Sequence, residues 1–537
     1  MPFAHTALAR TGSNEFSYRT NDLQGEVLAV SYFDPAKVIG LKAMDIIVVT
    51  AAIGGARPEV LTVLVTATVP SVVVQAVSDS LRDSSLCLVP AGLGWDASSY
   101  PISLVSYRDM GGVRVGSISG YSPWASAEYL SCRGGTQIYV SATGSDSSGA
   151  GTIGSPYLTV NKAIQIANAA GQPATIWLSA GAYFRNASGG YINAPGSTTL
   201  PTVPFCLMAY GGIVQYGCID NYTFVADTTY TNTHKIARSS AGAVYNPSLR
   251  DSFGNAVMYT KAVSAAACNA RPGSWYTDGT SVYVNSFDGS AVTNATASVY
   301  LTSDTFAINW GSAPQHFFMD VADDGSSWDL LGSRVKIIAS AYGASPKIIA
   351  MRRVSTRYAS SVSADAWNGF GFDNWWGLIW LESCYAGRAS ADCINFHNTL
   401  NAQPLYAVTL NCQGVDAGVF GSGSNNGLTL HENVIGIDVA GRYRYNQGGT
   451  LRNINTSKML AHGSTFSDDR GDLYISGGLV PPTEVGTLNT AQIWLSECTL
   501  SPGSDTAYAI NIGSGGAVFL RNMPTVRGRV SGSIGTW

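Results

Sequence analysis

Charge is what this chain has least of. Only 12% of its 537 residues are Asp, Glu, Lys or Arg, about half the usual share. The 31 basic and 35 acidic side chains nearly cancel, to a net −4. There is no run of Lys or Arg, and no basic patch alternates with aromatics, so no nucleic-acid surface is expected. A long apolar run is also missing. The most apolar window, VLTVLVTATVPSVVVQAV from Val60, carries Thr, Gln and a central Pro. Its alternation predicts strands, and no membrane insertion is expected. The opening MPFAHTALARTGSNEF has no basic region followed by an apolar stretch, so no export leader is expected.

The nine cysteines include no CxxC pair, which excludes a zinc signature and gives no disulfide framework. Free buried thiols are expected. The Gly-rich TGSDSSGAG is not followed by GK[ST], and no G-x-S-x-G elbow occurs, so neither a phosphate loop nor a serine hydrolase is indicated. SDDRGD, from Ser467, lacks the spaced D-x-D-x-D-G pattern of a calcium loop. No metal and no cofactor are expected.

What the chain has is glycine, 59 residues, and 45% hydrophobic content. That combination suits β-structure with many tight turns around a sizeable core. It also has a repeat. Ile-Trp-Leu occurs at Ile176, Ile379 and Ile493, although the chain holds only 12 Trp. Strand-like pieces recur from about Arg334: GLIWLESC, YAVTLNC, GLTLHENV, QIWLSEC, AVFLRN. Aligning Leu381, Leu410 and Leu430, and spacing Leu381 from Leu495 by about five rungs of roughly 23 residues, predicts a solenoid. Its inner face would form one apolar column, with polar side chains outside. Residues 1–130 read as a small N-terminal β-domain and connector, and 131–185 as the solenoid start with a capping helix. Residues 186–333 read as a β-rich insertion with a hairpin at SWYTDGTSVYVNS, and 334–537 as the main rungs and C-terminal segment.

The stretch from Gly135 sharpens this. A strand (IYVS), the loop TGSDSSG, the helix SPYLTVNKAIQIAN and the strand IWLSAGAYF follow in order. Ala163, Ile164 and Ala167 fall at helical spacing. Together these segments resemble the opening of right-handed parallel β-helix proteins of the pectate-lyase type. That resemblance implies an all-β, right-handed, single-stranded parallel β-helix whose open end is closed by the helix.

The block from Ala364 to Asp472 concentrates the candidates for chemistry. It contains Asp365, Asp373, Asp468, Asp469, Asp472 and half of the chain's six His. A hydrolase needs two carboxylates. Asp392 and Glu432 are the expected acid pair, Glu382 the third choice, with His397 and His431 as further candidates. Trp375, Trp376 and Trp380 are expected to line a sugar groove, with Arg442, Tyr443 and Arg444 nearby. Lyase chemistry would instead use a His base and an Arg. Asp392-x-x-Asn395-x-His397 and the run Asn425 to His431 resemble segments of β-helical phage tailspikes. The resemblance implies a homotrimeric virion appendage. It would be held by tail or baseplate proteins through its N-terminal domain, made in the host cytoplasm and released by lysis. It would bind host cell-surface polysaccharide, with or without cleaving it. A non-enzymatic structural fibre is the alternative, and a bacterial surface enzyme a third reading.

Overall fold

The computed structural model describes residues 85–537, apart from 109–112, 185–198, 218–222, 240, 252–254, 302–305, 333, 360–366, 401, 419–424, 468–482, 488, 502–507 and 524–528. Before these it describes the backbone of five strands. Asp365, Asp468, Asp469 and Asp472 lie outside the described residues.

The chain divides into two units, 1–85 with 107–113, and 86–106 with 114–537. In the first, Leu8–Arg10, Glu15–Arg19, Ile46–Ala51, Glu59–Ala67 and Val73–Ala76 form one sheet. Only the second and third of these strands pair in parallel.

The second unit is a right-handed parallel β-helix. From Phe306 to Ser501 each coil contributes a strand to each of three parallel sheets. Sheet 1 runs from Thr136–Val140 to Ile534–Thr536. Sheet 2 runs from the second half of the bent strand Ala174–Phe184 to Thr499–Ser501. Sheet 3 has nine strands, Phe306–Asn309 to Arg529–Ser531. Along sheet 1, Leu381 pairs in turn with Thr409, Asp438, Ala461 and Leu495. The two Ile-Trp-Leu copies are therefore four coils apart, in steps of 28, 29, 23 and 34 residues. This corrects the expected five rungs of 23. Leu410 sits one place beyond the Leu381 row, and Leu430 belongs to sheet 3. The turns absorb the unequal lengths, so the strands hold register while the sequence spacing does not.

The inner column is largely apolar, with Thr409 and Asp438 as buried polar members of the Leu381 row. Ile379, Leu381, Phe372, Phe396, Ile493 and Leu495 all belong to one buried cluster. The outer face of sheet 1 departs from the expected polar surface. Leu378, Trp380, Val408, Ile437, Leu460 and Trp494 point outward into a second apolar layer with Leu93, Tyr100, Leu104, Trp124 and Tyr129. Residues 87–106 and 114–134 thus cover sheet 1. Strands buried on both faces read as near-continuous apolar runs, and GLIWL is such a run. Asn411 ties this cover down, accepting from Gly116 N at 2.8 Å and donating to Gly116 O at 2.9 Å.

The open end is closed by the helix Val160–Ala170, which buries Val160, Ala163, Ile164 and Ala167. The TGSDSSG loop explains itself here. Asp146 accepts from Leu158 N, Thr159 N and Thr159 Oγ1 at 2.9, 3.0 and 2.7 Å, while Thr159 caps Lys162 N. A carboxylate at a helix N-terminus is favoured by the unpaired N–H groups and the helix dipole. Between Gly217 and Phe306 two small sheets form the insertion. Ser274–Thr277 and Ser281–Asn285 pair antiparallel about Asp278 and Gly279, whose φ is +88°. The insertion is fastened to the coils by Tyr385 Oη donating to Asn255 Oδ1 (3.0 Å) and by Arg388 with Asp251 (3.0 Å). All eight described cysteines are buried and free.

Candidate functional site

Two rows of side chains meet where sheet 3 turns back into sheet 1. Both are created by strand register. On Phe370–Asp373, Ile394–Asn398 and Asn426–Glu432, alternation sends Phe372, Phe396 and Leu430 inward. The next residues, Asp373, His397 and His431, face out on three adjacent strands. The following row is Asn374, Asn398, Glu432, Asn455 and Asn489. Four of these five are Asn, and Asn374, Asn455 and Asn489 adopt φ of 58°, 62° and 57°. Asparagine tolerates this left-handed turn best, bonding locally through its short amide. Glu432 occupies the same corner at φ 55°. A residue without that local bond accepts a conformational cost on the order of 1–2 kcal/mol. Its side chain makes other contacts.

Glu432 Oε1 accepts from Asn455 Nδ2 at 2.6 Å. Its Oε2 lies 2.9 Å from His397 Nε2. That contact is close but not aligned as a hydrogen bond, and Oε2 otherwise has no donor. His397 Nδ1 faces Asp373 Oδ1 at 3.4 Å. One imidazole therefore stands between two carboxylates. The hydrogen bond to Asp373 raises the His397 pKa above its ordinary 6.5; burial opposes this, and the Glu432 and Asp373 charges reinforce it. His431 packs edge-on to His397, ring centroids 4.8 Å apart. Burial first, and the neighbouring His397 second, push its pKa down to about 4. The surroundings thus favour the charged form of His397 and the neutral form of His431. The group is reachable from solvent, with His397 and Asp373 side chains 35% and 32% exposed.

The remaining candidates are distributed elsewhere. Asp392 is 6% exposed and accepts from Asn395 Nδ2 (2.7 Å), Asn426 N (2.6 Å) and Asn426 Nδ2 (3.1 Å). Burial raises its pKa against these bonds. It precedes Asn398, the partner of Glu432, by six residues of near-extended chain, on the order of 15–20 Å. The structure does not bring Asp392 and Glu432 together. Glu382 Oε2 accepts from the indole N–H of Trp124 (2.8 Å) and of Trp380 (3.2 Å) beneath the cover of sheet 1. Both indoles are buried. Glu382→Ala is expected to destabilise the chain by about 1–3 kcal/mol, because two buried donors lose their acceptor. Urea unfolding measures this. Glu382→Gln, which keeps an acceptor oxygen, should recover most of the loss.

Trp375 is buried, its indole donating to Lys347 O at 3.0 Å. Trp376 is half-buried at the site's corner, 6.4 Å from Tyr342. Tyr342 in turn donates to Asn398 Oδ1 at 2.7 Å. Arg442, Tyr443 and Arg444 form a strand of sheet 2. Tyr443 is buried in the core and donates to Asp438 Oδ1 at 2.8 Å. Of the candidates, His397, His431 and Glu432 are brought together. Asp373 and Asn455 complete the group. Asp373 was visible in the sequence only as one acid among many, and the signal that selects it is its place in the His row.

No family model and no curated protein matches this chain. Solved structures do, by fold. A glycoside hydrolase is similar at 8% identity and TM-score 0.40, over 73% of this chain and 97% of that one. Pectate lyase Pel9A is similar at 9% and 0.34, over 75% and 77%. The tailspike protein gp49 from Pseudomonas phage LKA1 is similar at 13% and 0.23, over 68% and 74%.

Proposed function

On a right-handed parallel β-helix scaffold, we propose a polysaccharide hydrolase whose acid–base group is Asp373, His397 and Glu432. One observation carries the reading: a solvent-accessible imidazole bridges two carboxylates, one of which replaces Asn in a turn row. Asp373 and Glu432 come from strands on either side of that of His397, and one imidazole fits between their carboxyls. Inverting glycosidases keep their carboxyls about 6.5–9.5 Å apart to admit a water, whereas retaining enzymes need about 5–5.5 Å. Asp373 takes a proton from the water that attacks the anomeric carbon. Glu432 gives a proton to the departing oxygen. His397 returns the proton from one carboxyl to the other. A pair of carboxyls serves an oxocarbenium-like transition state. Trp376 and Tyr342 supply flat faces for sugar rings at the same corner.

The wider reading is a virion appendage acting on host cell-surface polysaccharide, with the five-stranded N-terminal unit as its attachment. A native mass of three chains is the result expected of that layout. Bacterial capsular, O-antigen and exopolysaccharide preparations incubated with the purified chain should yield new reducing ends without unsaturated-product absorbance. The product should first form with inverted anomeric configuration, read by NMR. Unsaturated product would make it a lyase, and binding without cleavage would leave an adhesin.

A further inference from the structure

We propose that His397, His431 and Glu432 bind one divalent first-row transition-metal ion, of which Zn²⁺ is the test case. The three offer one ligand atom each, all within 4.8 Å of one another. Two imidazoles and a carboxylate are a donor set suited to Zn²⁺ and its neighbours, not to Ca²⁺ or Mg²⁺, which take oxygen ligands. Ligands about 2.0–2.1 Å from a tetrahedral ion stand roughly 3.4 Å apart. A pair at the 4.8 Å limit must close by about 1.4 Å, which side-chain rotation supplies.

The surroundings orient the donors. Asp373 faces Nδ1 of His397 at 3.4 Å, leaving Nε2 directed at Glu432. A carboxylate behind a ligating His fixes its ring and raises its basicity. Asn455 holds Oε1 of Glu432 at 2.6 Å, so Oε2 is left toward the His pair, near Nε2 but with no aligned donor. His431 comes from the residue before Glu432, on the strand beside His397. Three protein ligands leave a coordination position open.

A metal here takes the atoms that the hydrolase reading uses to carry protons. The second half of the proposal rests on that reading: the ion is an inhibitor, and its removal restores cleavage. The binding half does not depend on it. Zn²⁺ titrated calorimetrically into the full, chelator-treated chain should give one site per chain at micromolar concentrations, with no heat from Ca²⁺. Co²⁺ should give a visible absorption band. His431→Ala should abolish the band and weaken Zn²⁺ binding at least tenfold, with the far-UV circular dichroism unchanged. Asp373→Asn should weaken it by about 10–100-fold without removing a ligand. Zn²⁺ binding that His431→Ala and Glu432→Gln leave unchanged overturns the site, as does no binding up to about 1 mM. If the metal binds as stated but the metal-free chain cleaves no polysaccharide, the hydrolase reading falls and the metal site stands. If the chain cleaves and the variants bind as the parent does, the reverse holds.

Discussion

Glu432→Gln is expected to cut the polysaccharide-hydrolysis rate by about 10²–10⁴-fold with little change in KM. The amide keeps the size of the side chain and an oxygen for Asn455 Nδ2, but it cannot deliver a proton. Asp373→Asn should cost a similar factor. Because one relay uses both groups, the double variant should lose little more than either single one. The His397 pKa adds a pH signature. The Asp373 hydrogen bond, against burial and with the Glu432 charge, holds it above 6.5. The rate should therefore fall as pH rises through that raised value, where His397 loses its proton. Imidazole NMR should show the His397 titration moving to lower pH in Asp373→Asn. Retention of more than about a tenth of the parental kcat in Glu432→Gln sinks the assignment of the acid.

The architecture was more legible in the sequence than the site. The capping helix could be read because Ala163, Ile164 and Ala167 follow a local period, and their burial follows from it. The repeated Ile-Trp-Leu marked sheet 1 because a strand between two apolar layers has no freedom to vary its character. What failed was the long-range count. Corner turns lengthen and shorten without disturbing the ladder, so steps of 23 and 34 residues lie in one column. The site depends on that same hidden register. Asp373 and His397 are 24 residues apart and His397 and His431 are 34 apart, yet they are lateral neighbours. Asp392, five residues before His397 in the chain, occupies a different part of the sheet and holds a turn. Pairing across strands places Asp373, rather than Asp392, beside His397.

Asp320→Ala is expected to cause the largest single loss of stability in the solenoid, about 3–5 kcal/mol. Asp320 is fully buried on the outer face of sheet 1, between the strand of Arg352 and the covering segment. Arg352 approaches it with Nε on Oδ1 and Nη2 on Oδ2, the latter at 3.1 Å. Tyr129 Oη donates to Oδ2, and Val321 N to Oδ1 at 2.7 Å. Burial works against the Arg352 charge, but the Asp320 carboxylate outweighs it and raises the guanidinium pKa. Burial, then the same carboxylate, pushes the Tyr129 phenol up, so it remains a donor. The Arg352 guanidinium also lies over the Trp124 ring at 4.9 Å, and Trp124 bonds Glu382. Removing Asp320 thus leaves a largely buried cation and a hydroxyl without their acceptor, and loosens the cover at Trp124 and Tyr129. The penalty comes from the unpaired charge, so removing both charges should cost less. Asp320→Leu with Arg352→Met is expected to unfold at higher urea than Asp320→Ala alone. With two units in the chain a single two-state transition is not assumed, and Trp fluorescence follows the solenoid through Trp124 and Trp380. Additive losses in the pair, or a cost under about 1 kcal/mol for Asp320→Ala, would mean that apolar packing alone holds the cover on sheet 1.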